Sequence, residues 1–123
     1  LQPTSPLRIA EDIDACIEIT FKRNTPCISM SESGKSPYWM YQIEKNKNIN
    51  PFLISKATRR QDLPKAYYVN GAVYVSSPDD LITNQSFITS QTKAYVMPKE
   101  RSIDIDDEID LEMCKALLKS RKN

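Results

Sequence analysis

The chain has 123 residues, the size of a single domain, and its 40% hydrophobic and 27% charged residues are typical of a globular protein. A net charge of +1 argues against a nucleic-acid polymer as partner, and no apolar run approaches the roughly 20 residues that a membrane span requires. The chain contains no histidine, which excludes Ser-His and Cys-His catalysis within it, and its two glycines leave no glycine-rich phosphate loop.

The three cysteines, Cys16, Cys27 and Cys114, are far apart in the sequence and form no CxxC pair. This spacing predicts neither a zinc site nor a disulfide framework. It is typical of proteins in a reducing compartment, so we predict a cytoplasmic location.

The first residues are predicted to be extended or turning, because Pro3 and Pro6 disfavour a helix. Leu1 reads as the end of a buried strand, and the chain does not begin with Met. We therefore expect the C-terminal part of a longer protein. A helix is predicted next, at residues 9–20, where apolar residues recur at helical spacing after an acidic first turn.

Strands are predicted where β-branched and aromatic residues are frequent. These segments are residues 26–31, 38–43, 67–76 and 93–97, the third of them bent at Asn70-Gly71. Between them we predict a turn at residues 32–36, a hairpin or loop at 45–51, and an irregular segment or short helix at 57–64.

Two more helices are predicted towards the C-terminus. Pro78 fits the first turn of a short helix at residues 79–83. The last helix, at residues 107–119, has an acidic start and a basic end that suit the helix dipole. Its predicted apolar face consists of Ile109, Met113, Ala116 and Leu117. The alternation of helices and strands along the chain predicts an α/β fold.

The run from Ser102 to Asp107 is the strongest candidate for chemistry. If this segment is extended, Ser102, Asp104 and Asp106 share one face while the two intervening isoleucines enter the core. Successive carboxylates would then be about 7 Å apart at their Cα atoms, close enough to serve one hard cation such as Mg²⁺. The alternative is that Asp106 or Asp107 caps the following helix.

Three other features have both a functional and a plain structural interpretation. Arg59 and Arg60 suit a carboxylate or phosphate, but also a solvated loop. Gly71 inside a strand indicates close approach to a ligand or a simple bend. Trp39 and the tyrosines beside it fit a sugar, a subunit interface or the core.

Four segments carry a resemblance to a known family through their order and separations. They are Leu1-Gln2-Pro3-Thr4-Ser5-Pro6-Leu7-Arg8, Arg60-Gln61-Asp62-Leu63-Pro64, Asn70-Gly71-Ala72-Val73-Tyr74 and Ser102-Ile103-Asp104-Ile105-Asp106. Together they resemble the C-terminal part of the acylneuraminate cytidylyltransferases, also called CMP-sialic acid synthetases. The resemblance covers essentially the whole chain. It implies part of a Rossmann-like nucleotidyltransferase fold with a projecting dimerisation arm at about residues 37–69, and hence a homodimer.

The resemblance also implies roles for five substrate-binding residues. Gln2 and Asn70 match residues that contact substrate, and Tyr74 and Phe87 match aromatic residues of the sugar pocket. Arg60 matches an arginine that enters the site of the neighbouring subunit.

Asp104 and Asp106 match the catalytic aspartates that hold Mg²⁺ in this family. The family joins a nonulosonic acid to CTP and releases pyrophosphate, so we expect a cytidylyltransferase with these two substrates and Mg²⁺ as cofactor. The family's glycine-rich CTP-binding segment has no counterpart here. This favours a second hypothesis for the chain by itself, an inactive sugar-binding or dimerisation module. A third reading, nucleic-acid binding through Arg59 and Arg60, is disfavoured by the net charge.

Three positions depart from the pattern of sialic-acid-specific bacterial members. Trp39 stands where they have Lys, Tyr68 where they have a second Arg, and Ile88 in place of the second pocket aromatic. The segment from Ser36 to Tyr41 is more similar to members that use legionaminic-type sugars. The resemblance therefore leaves the identity of the sugar open.

Overall fold

The structure, a computed structural model, describes residues 1–54 and 59–121, and for Arg60 the backbone alone. The fold is α/β, as predicted. Three-residue 3-10 helices lie at Pro37–Trp39, Arg60–Asp62 and Lys99–Arg101. The other regular elements are α1 (Ala10–Arg23), β1 (Cys27–Glu32), β2 (Tyr41–Ile43), β3 (Ile49–Pro51), β4 (Tyr67–Val75), α2 (Pro78–Asn84), β5 (Lys93–Val96) and α3 (Glu108–Arg121). Within the described residues, no helix is long and apolar enough to cross a membrane.

The chain divides into two compact units, one made of residues 1–31 and those from 69 onward, the other of residues 32–68. The first unit is built on a three-stranded sheet in the order β4-β1-β5. β1 and β5 are parallel, with Cys27 opposite Lys93 and Met30 opposite Val96. α1 contacts β5, and the core cluster consists of Cys16, Cys27, Ala72, Val73 and Met97.

The three cysteines are buried free thiols. Cys16 on α1 and Cys27 on β1 belong to the same core cluster, although they are eleven positions apart in the sequence. Helix α1 supplies Cys16 because its apolar residues lie on one side, with Ile13 and Ile19 packed beside it.

The second unit contains a hairpin of β2 and β3, in which Tyr41 is opposite Pro51 and Ile43 is opposite Ile49. The predicted strand at residues 38–43 is therefore wrong in its first half. Pro37 begins a 3-10 helix there, and the Ser36 Oγ accepts a hydrogen bond of 3.3 Å from the Tyr38 N–H. A proline at the first position and a serine cap together favour a helical turn over a strand.

Helix α3 uses a different face from the one predicted. Ile109 is 71% exposed and Met113 50% exposed, whereas Cys114 is buried. The Arg121 guanidinium explains this orientation, because it donates hydrogen bonds to the carbonyl oxygens of Leu7 (2.9 Å) and Glu100 (3.3 Å). The helix is thus fixed by one residue of its last turn as well as by its apolar contacts.

The expectation of a buried strand at the first residue is also wrong. Leu1 is 63% exposed and lies in an irregular segment. Arg8 shapes this segment, since its Nη1 donates to the carbonyl oxygens of Gln2 (2.6 Å) and Ser5 (2.7 Å). Two carbonyls turned towards one guanidinium produce a compact turn instead of an extended strand.

Candidate functional site

The bend predicted in β4 lies at Gly71, which has a left-handed backbone with φ of +74°. A Cβ atom at this position would lie 3.0 Å from the Asp104 Oδ2 and would overlap the side-chain oxygen of Gln2. The backbone angle favours glycine, and a Cβ here would also displace the flexible end of the Gln2 side chain and crowd Asp104. The bend brings together residues from the first, third and fourth of the segments that carry the family resemblance.

Asp104 is half-buried beside this bend. Its Oδ1 accepts a hydrogen bond of 3.0 Å from the Oγ of Ser5, a fully buried serine. The next peptide is fixed as well, because the Ile105 N–H donates to the Thr4 carbonyl oxygen at 2.8 Å. Within the described residues, neither Asp104 nor Asp106 forms an ion pair.

Residues 102–106 do not form a strand, so the condition under which their carboxylates would share one face is not met. Ser102 follows the 3-10 helix Lys99–Arg101 and is buried, with φ of −105° and ψ of 14°. Asp104 is half-buried and Asp106 is exposed, so these side chains do not share one environment. The backbone here bonds instead to the N-terminal segment and to its own turn, through the Ile105 N–H to Thr4 and the Ser102 N–H to Lys99.

The capping alternative is confirmed for Asp107. Its Oδ1 accepts hydrogen bonds from the N–H groups of Ile109 (2.8 Å) and Asp110 (3.0 Å), which are otherwise unpaired at the start of α3. Asp106 takes no part in the cap through its side chain. Only its N–H is engaged, with the Asp110 Oδ2 at 3.1 Å. Asp106 is exposed to solvent and lies two positions after Asp104 in the sequence.

A cavity of about 440 Å³ is lined by Leu1, Gln2, Tyr74 and Phe87. The rings of Tyr74 and Phe87 pack at a centroid distance of 5.5 Å with an angle of 56° between their planes. Three of the five predicted substrate-binding residues therefore line one cavity. Gln2 belongs both to this cavity and to the close contact at Gly71, and so connects the cavity with the bend beside Asp104.

Ile88 lies outside this cavity, although it follows Phe87 directly. It lines a separate, mainly apolar cleft of about 210 Å³, together with Ile28 and Met30 of β1. A third, polar cleft of about 450 Å³ is lined by residues of α1, α2 and the loop before β5, and by none of the predicted site residues.

Asn70 occupies a different place from the other predicted substrate-binding residues, because its side chain is only 2% exposed. Its Oδ1 accepts hydrogen bonds from the Ser29 Oγ (2.6 Å) and the Ala72 N–H (3.2 Å). Its Nδ2 donates to the Ser102 Oγ (3.0 Å) and the Met97 sulfur (3.4 Å). An amide offers two acceptor and two donor positions, and all four are used inside the protein.

Arg101, just before the site segment, is held by a buried carboxylate. Its Nε and Nη2 donate to the two oxygens of Asp12 at 2.9 and 2.7 Å, and Asp12 is fully buried. The Tyr95 hydroxyl (3.1 Å) and the Ile9 N–H (3.0 Å) donate to the same carboxylate. Burial alone would raise the pKa of Asp12, but the hydrogen bonds from Arg101, Ile9 and Tyr95 outweigh it and lower that pKa below its ordinary value.

The predicted role of Arg60 falls outside the described residues. Its backbone begins the 3-10 helix Arg60–Asp62 in the second unit, and the structure says nothing of its side chain. Among the described residues there is no cluster of three or more Cys, Asp or Glu side chains that could hold a metal ion. The predicted metal site has two carboxylates only, so it relies on further ligands from substrate or water.

Comparison with known proteins identifies relatives of the chain, although no family model matches it. It is 38% identical over 112 residues to the N-acylneuraminate cytidylyltransferase of Streptococcus agalactiae serotype III, which covers 89% of this chain and 27% of that protein. It is 31% identical over 120 residues to the CMP-N,N'-diacetyllegionaminic acid synthase of Legionella pneumophila, covering 96% and 52%. The chain is a relative of the acylneuraminate cytidylyltransferases.

The family resemblance seen in the sequence is therefore confirmed. The N-acylneuraminate cytidylyltransferase of Escherichia coli O18:K1:H7 also matches, with 26% identity over 125 residues that cover 100% of this chain and 30% of that protein. The chain thus spans between about a quarter and a half of the length of these curated relatives.

The structure reveals positioning contacts that the sequence did not indicate. Ser5 bonds to Asp104, Ser29 and Ser102 bond to Asn70, and Asp12 holds Arg101. Asp12 was visible only as part of the acidic first turn of α1, and single serines carry no sequence signal. Their partners are more than 30 positions away along the chain, so only the fold brings each pair together.

Proposed function

We propose that this chain forms the sugar-binding and metal-holding part of a cytidylyltransferase that joins a nonulosonic acid to CTP. The observation that carries the proposal is that Gln2 lines a cavity with Tyr74 and Phe87 and also meets Gly71, beside which Asp104 lies. These residues come from separate segments of a chain whose relatives are named for CMP-sugar synthesis. On this reading the fold is part of a Rossmann-like nucleotidyltransferase.

The reaction is an in-line displacement at the α-phosphorus of CTP. A bond forms between the anomeric oxygen of the sugar acid and this phosphorus, the bond to the β-phosphate breaks, and pyrophosphate leaves while the hydroxyl gives up its proton. Positioning and charge neutralisation account for most of the catalysis in such transfers. Gln2, Tyr74 and Phe87 would hold the sugar, and Arg60 would orient its carboxylate.

Asp104 and Asp106 have the donor chemistry for Mg²⁺. Asp104 keeps its Oδ2 beside the bare Gly71 backbone, and only its Oδ1 is committed to Ser5. Mg²⁺ typically takes one or two carboxylates together with substrate phosphates and several waters, which fits a half-buried and an exposed aspartate. The bound ion would offset the charge that accumulates on the phosphate oxygens.

The test is Asp104→Asn in the full-length protein, assayed by pyrophosphate release from CTP and candidate nonulosonic acids. We expect a loss of at least about a hundredfold, because the charge stabilisation supplied by a bound metal is worth several kcal/mol. Turnover close to that of the unmodified protein would refute the metal assignment.

Asp107→Asn is the matched control for this experiment. It removes a carboxylate three positions further on, but asparagine caps a helix as well as aspartate does. We expect turnover within about twofold of the unmodified protein. An equal loss in both variants would show that a general loss of acidic charge, and not a metal ligand, explains the effect.

The sugar itself is proposed only as a class. The relatives include proteins named for N-acylneuraminate and for N,N'-diacetyllegionaminic acid, and both are nonulosonic acids. Parallel assays with the two sugar acids would decide between them through the ratio of kcat/KM values. A cytoplasmic location stays a prediction.

A second function, self-association, is favoured by the surface of the unit of residues 32–68. Its hairpin is exposed along both strands, and a two-stranded hairpin is marginally stable without a partner. Large exposed apolar side chains are frequent in this unit. They are Trp39, Met40, Tyr41, Ile43, Ile49, Phe52, Leu53, Ile54, Tyr67 and Tyr68. We propose that this unit is the dimerisation arm and that its partner is a second copy of the chain.

Sedimentation of the full-length protein tests the dimer. Phe52→Ser removes an apolar side chain that is 66% exposed in this unit and should weaken the dimer by about tenfold or more. Ile82→Ser is the control, since Ile82 is 74% exposed but lies on α2. A protein that is monomeric at all concentrations, or equal effects of both changes, would contradict the proposal.

A further inference from the structure

Asn70 forms four side-chain hydrogen bonds within the described site. It joins three segments, namely β1 through Ser29, β4 through Ala72, and the loop after β5 through Met97 and Ser102. Because all of its hydrogen-bonding positions are occupied and it is 2% exposed, no donor or acceptor is left for a substrate.

The first of its effects is on the bend at Gly71. The Asn70 Oδ1 accepts from the N–H two residues further on, which is the local pattern by which asparagine specifies a turn. This bond closes over the one residue with a left-handed backbone in β4. The side chain of Asn70 therefore stabilises the shape of the backbone against which Gln2 and Asp104 are placed.

The second effect is on the segment that carries Asp104. The Asn70 Nδ2 donates to the Ser102 Oγ at 3.0 Å, and Ser102 donates in turn to the Pro98 carbonyl oxygen at 2.7 Å. Ser102 is two residues before Asp104 and is buried, so its position fixes where the segment leaves the core. The Asn70 carbonyl oxygen also lies 3.5 Å from the Ser5 Oγ, the hydroxyl that bonds to Asp104.

We propose that Asn70 is a positioning residue for Asp104, and not a substrate contact, acting through Ser102 on one side and through the Gly71 bend on the other. The proposal rests on the proposed metal-holding function of Asp104. Residues that hydrogen-bond around a metal ligand commonly fix the orientation of that ligand, and the buried amide of Asn70 would have this role for Asp104.

The test measures Mn²⁺ binding to the full-length protein by electron paramagnetic resonance, with Mn²⁺ as a probe for Mg²⁺. Asn70→Ala and Ser102→Ala should each weaken Mn²⁺ binding by roughly tenfold, the lower end of the range for residues behind a metal ligand. The double variant should be no weaker than Asn70→Ala alone, since the effect of Ser102 depends on its bond to Asn70. The affinity for the sugar acid without metal should stay unchanged.

A substrate contact predicts the opposite pattern. Asn70→Ala would then weaken sugar binding while Ser102→Ala would not, and Mn²⁺ affinity would be unchanged in both. That result overturns the proposal. Ser120→Ala is the matched control for Ser102→Ala, because the Ser120 Oγ donates to a backbone carbonyl on the exposed side of α3. It should leave Mn²⁺ affinity unaltered.

Asp104→Asn and hydrogen exchange separate this proposal from the proposed function. If Asp104→Asn binds Mn²⁺ as tightly as the unmodified protein, the metal site itself is wrong. The positional role is then judged by exchange of the Ile105 amide, which bonds to the Thr4 carbonyl oxygen. Faster exchange there in Asn70→Ala, with unchanged exchange in α2, supports positioning, and unchanged exchange at Ile105 refutes it.

Discussion

Replacing Arg101 with methionine would leave the buried carboxylate of Asp12 without its cationic partner. Methionine keeps much of the length of arginine but carries no charge and no donor. Asp12 is fully buried and accepts four hydrogen bonds, two of them from Arg101 at 2.9 and 2.7 Å. The Tyr95 hydroxyl and the Ile9 N–H are then the only donors left.

The expected cost is about 3–5 kcal/mol, the typical loss when one partner of a buried ion pair is removed. Domains of this size are stable by about 5–15 kcal/mol, so the variant would lose a large share of its stability. Tyr95→Phe removes a single hydrogen bond to the same carboxylate and should cost about 1.5–3 kcal/mol. The order of the two effects follows from the number of bonds lost.

The pH dependence has a defined sign. Asp12 has a folded-state pKa below its ordinary value of 3.8. Its contribution is therefore fully present above pH 3.8 and is lost as the pH falls through the lower, folded-state pKa. The difference in unfolding free energy between the unmodified protein and Arg101→Met should be full at pH 7 and smaller in strong acid.

The assay is urea unfolding of both proteins at pH 7, pH 5 and pH 3. Lys22→Met is the control, because Lys22 pairs with Glu18 on the exposed side of α1 and its loss should have no measurable effect. A difference below about 1 kcal/mol for Arg101→Met at pH 7 would contradict the reasoning, since it lies within the range of exposed ion pairs. A difference in unfolding free energy that is the same at pH 3 as at pH 7 would also contradict the reasoning.

Two further predictions concern the site and the helix behind it. Gly71→Ala should cost about 1–2 kcal/mol of stability because of the left-handed backbone at this position. It should also lower turnover, because the new Cβ would push Gln2 and Asp104 away. Urea unfolding measures the first effect and pyrophosphate release the second, and unchanged turnover would refute the close approach. Asp107→Ala should destabilise α3 by about 1 kcal/mol, whereas Asp107→Asn should not; equal unfolding free energies for these two variants would show that the cap contributes nothing.

The local patterns of the sequence were sufficient for most elements and for the family. Helix α1, strands β1 and β5, the hairpin in the second unit and the bend at Gly71 all follow from spacing, proline position or turn residues. These features depend on contacts between residues close together in the chain, which a sequence pattern records directly. The motif order indicated the relatives for the same reason, since it needs no knowledge of contacts.

The environment of the candidate site residues depended on contacts between distant segments. The alternation of Asp104 and Asp106 would place both on one face of an extended segment, but Ser102 bonds to Asn70, 32 positions earlier, and the Ile105 N–H bonds to Thr4. Asn70 resembled a substrate contact by motif, and only its four partners revealed a buried amide.

The sequence by itself thus determined the α/β class, the family and the positions of two neighbouring acidic residues. The tertiary structure alone decided that Gly71 is the point of approach for Gln2 and Asp104, and that Asp12 holds Arg101. The physical reason is the range of the interactions. Helix and turn preferences act over a few residues, whereas buried hydrogen bonds and ion pairs select partners by position in space.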